Sequence, residues 1–379
     1  MNARARIRGA GVALLVLAGA AARAHAQGAD SAAYFAPSGG ALARVHLAPY
    51  GDLRLRDDDV WNRPGFSDEL HRQRATLRGG LVWAPPAFPL RLEAGVRAAL
   101  GSDHTNENWS PFENEAPDTV HVDRLGGRLA DAAGDAIVAG KLRQPLAFSE
   151  LIWDPDLRPI GVGVLTRGAW LGAPWLRAGA GAFTRAHLPS EDVHAAIAQL
   201  AVVAPEAARV NGGVTLSALG FDHTDELIAQ GLQRQNTVVV RNGRRVFATD
   251  FSLLDAQLDG LTRLGRVPFE AHVDLVRNTA APAHRDGVRV RAAIGGEGVP
   301  LGSQLGYAYE RIERDAVLGA FNSDDWWFHS RMRGHLAWVQ LGSGLPVSLR
   351  VMGFIEWRDD LAEETRRVIA ELTLRLPEP

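Results

Sequence analysis

Cysteine is absent from the 379 residues. This excludes disulfides, thiolate metal sites, cysteine nucleophiles and the lipid-modified cysteine of a bacterial lipoprotein. Lysine is almost absent as well, since Lys141 stands alone among the 41 basic residues. Neither sign of charge dominates: the formal net charge is −3, which argues against a nucleic-acid-binding surface. Beyond the N-terminal segment no run is long and apolar enough for a membrane-crossing helix. The G-x-S-x-G, H-E-x-x-H and P-loop signatures are missing. His104, His121, His194 and His272 are scattered without ligand spacing. The pairs Asp154/Asp156 and Asp324/Asp325 could serve a hydrolase, but loops carry many carboxylates. The residues therefore point to no enzyme, no metal and no cofactor.

What is present begins with an export signal. Arg4, Arg6 and Arg8 precede a short apolar run from Gly11 to Ala22, and Ala24-His25-Ala26 supplies an A-x-A cleavage site before Gln27. Residues 1–26 read as a cleaved signal peptide, 27–40 as a short flexible N-terminus, and 41–379 as one domain.

That domain alternates with period two. In Arg44-Val45-His46-Leu47-Ala48-Pro49-Tyr50-Gly51-Asp52-Leu53-Arg54-Leu55-Arg56 the even positions are mostly polar and the odd ones mostly apolar. Successive strand residues face opposite ways, so one face is polar and the other aliphatic. Leu90, Leu92, Ala94, Val96, Ala98 and Leu100 oppose Arg91, Glu93 and Arg97 in the same manner. The pattern recurs through Val368–Leu376 and predicts about sixteen strands, an even count. They fall near 44–56, 72–84, 90–100, 119–129, 135–143, 161–171, 174–183, 193–203, 208–219, 247–260, 267–278, 286–296, 303–314, 328–341, 346–358 and 366–376. Short connections alternate with long polar ones at 57–71, 101–118, 144–160, 220–246 and 315–327. A closed antiparallel transmembrane β-barrel, all-β, with short periplasmic turns and long external loops, satisfies both faces and this alternation. Trp83, Trp338, Phe269 and Trp357 are expected on its outer face as an aromatic girdle.

The polar faces predict a charged interior. Arg54, Arg56, Arg72, Arg74, Arg78, Arg91 and Arg97 come from three neighbouring strands and form a cationic ladder. Asp255, Asp259, Glu270 and Asp274 come from the far side. Opposed rows of charge across a channel orient polar solutes and reject apolar ones. A mild anion preference is the most this ladder implies.

Two segments carry a resemblance. Gly140-Lys141-Leu142-Arg143-Gln144-Pro145-Leu146 leads to Leu151-Ile152-Trp153-Asp154-Pro155-Asp156-Leu157-Arg158-Pro159-Ile160-Gly161-Val162. Tyr309-Glu310-Arg311-Ile312-Glu313-Arg314-Asp315-Ala316-Val317 leads to Phe321-Asn322-Ser323-Asp324-Asp325. Both resemble motifs of the porin family of Gram-negative outer-membrane barrels. The resemblance implies a channel for passive diffusion of small hydrophilic solutes in the cell outer membrane. It implies contact with outer-membrane lipid and lipopolysaccharide, insertion by the barrel-assembly machinery and, by analogy with general porins, a homotrimer. It also implies that the loop bearing Trp153, Asp154, Asp156 and Arg158 could fold inward as a constriction, or pack against the wall. One departure stands out: such barrels usually end in an aromatic residue, and this chain ends Leu376-Pro377-Glu378-Pro379. The rival readings are a non-conducting outer-membrane barrel, such as an adhesin or scaffold, and a secreted soluble all-β binding protein.

Overall fold

The computed structural model describes residues 46–86, 88–101, 119–168, 172–173, 175–184, 193–204 and 211–376. The signal segment, residues 27–40, Arg44, Val45, His104 and the final three residues lie outside the described residues.

The first nine strands are β1 (Leu47–Trp61), β2 (Leu70–Trp83), β3 (Leu90–Gly101), β4 (Thr119–Ala130), β5 (Ala136–Lys141), β6 (Ile160–Thr166), β7 (Leu176–Thr184), β8 (His194–Val203) and β9 (Asn211–Asp222). A one-turn helix α1 (Glu226–Ala229) and a hairpin of β10 (Val238–Arg241) and β11 (Arg244–Phe247) follow. The rest are β12 (Ser252–Leu264), β13 (Val267–Asn278), β14 (Asp286–Gly295), β15 (Gln304–Ile312), β16 (Met332–Leu341), β17 (Val347–Arg358) and β18 (Thr365–Leu376). β10 and β11 pair antiparallel with each other, and the other sixteen strands pair antiparallel in one sheet. β9 pairs with β12, β1 pairs with β18, and the sheet closes as a sixteen-stranded barrel. Closure leaves no unpaired edge.

Alternation assigns the two faces. On β3, Arg91, Glu93, Arg97 and Ala99 are buried while Leu92, Ala94, Val96 and Leu100 are exposed. On β1, Tyr50, Arg56, Asp58 and Val60 are buried and Leu55 is exposed. The exposed set is largely apolar, including Leu77, Val120, Leu216, Leu258, Leu305 and Val351, with polar exceptions such as His71, Arg277, Arg333 and Arg366 near the long-loop ends of their strands. The buried set includes Asp58, Arg72, Arg124, Asp274, Glu310 and Arg367. The distribution is thus inverted relative to a water-soluble domain.

The core lies inside the barrel at its long-loop end. Loop 142–159 contributes Leu151, Ile152 and Trp153, and loop 313–331 contributes Val317, Phe321, Trp326 and Phe328. The segment 223–251 adds Leu227, Ile228, Leu232, Phe247 and Phe251. They pack on inward wall residues such as Ile197, Leu253, Met332, Phe354 and Ile369. Burying each large apolar side chain contributes about 1.5–3 kcal/mol.

Several expectations need correction. The first strand continues past residue 56 to Trp61, so Asp57–Asp59 are strand and not loop. The strand expected over 161–171 stops at Thr166, and residues 247–251 belong to the connection before β12. The long segment 220–246 is not featureless; it holds α1 and the β10–β11 hairpin. Trp338 faces inward and is buried, whereas Trp83, Phe269 and Trp357 keep the outward parity. The cause is visible opposite it. Gly306 pairs with Trp338 across β15 and β16, and a Cβ on Gly306 would sit 2.0 Å from the indole. The missing side chain leaves a bed for the ring on the inner wall.

Candidate functional site: the barrel interior

One wall is cationic. Register places Arg56 opposite Arg74 and Arg78 opposite Arg97. Like charges placed directly opposite repel, so the ladder needs carboxylates, and it has them. Asp58 is fully buried. It contacts Arg72 and accepts from Arg367 Nε and Nη2, both at 2.8 Å. Arg74 stands 3.5 Å from the same carboxylate. Arg56 reaches Asp325 at 2.7 Å, and Arg91 donates to Glu93 at 2.9 Å. A β-bulge shifts the β3–β4 register between Gly95 and Val96. The extra residue turns both Asp123 and Arg124 into buried positions, and Arg124 pairs with Glu93 at 3.1 Å. Arg97 lies within electrostatic reach of Arg78 and Asp156.

The loop bearing the first motif lies against this wall. Asp156 bridges Arg54 at 2.5 Å and Arg78 at 2.9 Å. Burial pushes its carboxyl up, but Arg54, Arg78 and Arg158 outweigh that and hold it well below the usual carboxylate range. Asp154 behaves in the opposite way. Burial, together with Asp324 and Asp156, pushes it well above that range. Its oxygens accept from the backbone of Asp156 at 2.6 Å and of Asp324 at 3.3 Å. Arg158 donates to Pro155 and Leu157 carbonyls and lies 3.6 Å from Asp123. Burial and Arg78 lower its guanidinium to about 9. Trp153 is buried with its ring 5.3 Å from that of Phe321.

The opposite wall is acidic. Asp255 accepts from Ser217 at 3.1 Å and Gln257 at 2.7 Å. Asp259 contacts His272 at 2.5 Å, and Glu270 pairs with Arg291 at 2.7 Å. Asp274 is fully buried. Arg289, opposite Asp274 on β14, contacts Glu150 of the loop and lies 3.5 Å from Glu310. Burial would raise Glu150, but Arg289 and Arg350 outweigh it and hold the carboxyl at about 2.

The structure thus brings each of the fifteen sequence-chosen site residues to the barrel interior or to the loop inside it, in two opposed groups. It also joins the two motif segments. Asp154 N–H donates to the Phe321 carbonyl at 2.7 Å, and Ser323 N–H donates to the Glu150 carbonyl at 3.0 Å. Sequence reasoning missed Asp58, Arg367 and Glu310. Parity alone would have found Asp58 had the first strand been extended by two residues. It also missed Asn236, which grips loop 313–331 through the Arg314 and Val317 carbonyls and the Gly319 N–H. No periodic signal marks such a residue.

Outside the barrel, Asp57, Asp59 and His71 gather their ligand atoms within 4.8 Å of one another. His71 Nδ1 lies 2.5 Å from Asp59, and Nε2 lies 3.7 Å from Asp57. The imidazole therefore already answers both carboxylates.

No known family model matches the sequence, and no curated protein matches it. Solved structures do match. Pseudomonas putida OprB aligns with a TM-score of 0.60 at 11% identity, over 88% of this chain and 94% of that one. Salmonella typhi OmpF gives 0.54 at 12% identity, over 87% and 97%. The Vibrio cholerae outer membrane protein OmpT, in a loop-deleted form, gives 0.51 at 10%, over 87% and 99%. With sixteen antiparallel strands closed on themselves and loops packed inside, the chain has the fold of the outer-membrane porins.

Proposed function

We propose that this protein is an outer-membrane channel for passive diffusion of small hydrophilic solutes and ions. Loops 142–159 and 313–331 narrow it at the external end. The observation that carries this reading is the inverted surface, with aliphatics outside and ion pairs inside a closed barrel. Lipid suits the first face and water the second. The long loops then face the exterior and the short turns the periplasm. Export depends on the signal segment 1–26, and the outer face meets lipid and lipopolysaccharide. A homotrimer is the assembly proposed. Selectivity is weak with a mild anion preference, because most ladder arginines already face a carboxylate.

A second reading is favoured by one observation. The interior of the long-loop end is packed with apolar side chains, which suits a non-conducting barrel that presents its loops. Planar-bilayer recording separates the two. Steady conductance that rises on deleting residues 147–157 supports the channel. A silent bilayer, with barrel insertion verified by heat-modifiable gel mobility, supports the closed barrel. A reversal potential showing clear cation selectivity removes the anion preference. A soluble periplasmic location without a mobility shift removes both readings.

A further inference from the structure

The outward faces of β15, β16 and β17 change character in steps toward the long-loop end. Register sets their outward residues in cross-strand rows. Leu305, Val339 and Val351 form an apolar row, and Tyr307, Ala337 and Gly353 form the next. Tyr309, His335 and Ile355 follow, and Arg311, Arg333 and Trp357 form the outermost row. The rings gather. Tyr307 Oη lies 2.6 Å from His335 Nδ1, and the His335 ring stands 5.2 Å from that of Tyr309 and 5.9 Å from that of Trp357.

An imidazole and two guanidiniums are costly in hydrocarbon. The two outer rows therefore belong at headgroup level, where amphipathic rings are favoured. Arg311 stands directly opposite Arg333, and like charges in that position repel. Glu313 lies 3.6 Å from Arg311. Among the described residues no carboxylate pairs with Arg333, whose guanidinium lies 6.0 Å from the Trp357 ring centroid. Elsewhere on the outer rim Arg277 donates to Asp286 at 2.6 Å and Arg366 donates to Glu364 at 2.5 Å. The β15–β17 patch thus keeps a positive charge that the chain does not answer. Beneath the rings the wall is hollow. A Cβ on Gly353 would meet nothing within 4 Å, and its cross-strand neighbour is Ala337, so a shallow trough leads down toward Val339 and Val351.

We propose that this patch binds the phosphorylated, acylated glucosamine lipid that anchors lipopolysaccharide. Arg311 and Arg333 take a phosphate, for which the guanidinium fork is suited. Tyr309, His335 and Trp357, with apolar faces and polar edges, meet the sugar. An acyl chain lies in the trough over Ala337 and Gly353. The proposal rests on the outer-membrane placement proposed above and assigns lipid recognition to one wall of the barrel.

Native mass spectrometry of refolded full-length protein in detergent tests it, with diphosphoryl lipid A as the probe. The expected result is one lipid A retained per chain under conditions in which phosphatidylglycerol is lost. Arg333→Gln lowers the affinity at least about tenfold, the scale of one charge-assisted hydrogen bond. Gly353→Leu lowers it as well, by filling the trough. Arg277→Gln, on the outer face of β13, leaves it unchanged. Four results overturn the proposal. They are no lipid A on the wild type, equal retention of phosphatidylglycerol, displacement of lipid A by inorganic phosphate, or a folded Arg333 variant that loses no more affinity than Arg277→Gln. Heat-modifiable mobility is measured on every sample. Its absence from the wild type removes the outer-membrane reading and this site with it, whereas its presence without lipid A removes this site alone.

Discussion

Asp156→Asn tests how loop 142–159 is held inside the barrel. The change keeps the side chain's shape and removes its charge. Asp156 is the common partner of Arg54 at 2.5 Å and Arg78 at 2.9 Å. Removing one partner of a buried ion pair costs about 3–5 kcal/mol. Here Arg54 keeps Glu371 at 3.7 Å and Arg78 keeps Asp123 at 3.8 Å. Arg54 and Asp156 are also 19% and 17% exposed. These remainders reduce the loss to about 2–3 kcal/mol. At about 1.4 kcal/mol per decade, the undocked fraction rises roughly 30- to 160-fold. Burial of Leu151, Ile152 and Trp153 still keeps the docked form dominant, so a sensitive reporter is needed. Ile152→Cys provides one, since Ile152 is 1% exposed and the chain has no other thiol. Thiol labelling of Ile152→Cys, with and without Asp156→Asn, reads the opening equilibrium, and any packing cost of the cysteine cancels in the ratio. A ratio below about threefold, less than 1 kcal/mol, would refute the tethering argument.

Acidity should act on the same loop through Asp154. A raised acid binds its proton more tightly in the docked state, so docking strengthens as pH falls from the raised value to the ordinary ~3.9. Labelling of Ile152→Cys is expected to slow across that window, and Asp154→Asn to abolish the dependence. Asp156, held low, keeps its stabilisation above ~3.9 and leaves no slope of its own between about pH 5 and 8. Asp58→Ala removes the carboxylate shared by Arg72 of β2 and Arg367 of β18 across the closing seam. Loss of such a buried partner should cost about 3–5 kcal/mol, seen as a lower denaturant midpoint for the heat-modifiable form. Gly306→Ala should cost about 1–3 kcal/mol on the same scale, because the new methyl displaces the Trp338 ring; a midpoint unchanged from wild type would contradict the bed described for that indole.

The fold was legible because one face of every stave meets a different medium from the other. Leu92, Val96 and Leu100 against Arg91, Glu93 and Arg97 leave no alternative parity. Positions where that contrast fades were misplaced. Trp338 belongs to an amphipathic strand, yet its inward placement depends on Gly306 in another strand, a relation that periodicity does not contain. The ladder was legible as a row, but its pairing was not. Asp156 and Asp325 come from loops, and which loop enters the barrel is decided by packing between segments far apart in the chain. The Asp57-Asp58-Asp59 run suggested a polar loop; the strand tolerates it because Asp58 turns inward to Arg72 and Arg367 while its neighbours turn out.

The contact between the two motif segments bears on the order of assembly. Asp154 and Asp324 lie 170 residues apart in the chain and come from loops that follow β5 and β15. Neither loop can be buried until most of the staves have been laid side by side. Contacts of such separation form late, because the chain between them must be ordered first. The aliphatic exterior can be satisfied strand by strand, but Trp153, Phe321 and Trp326 remain without their partners until closure. Substitutions among these three should therefore leave barrel formation intact and act on a final, internal consolidation step, so that the interior of this protein matures after its wall.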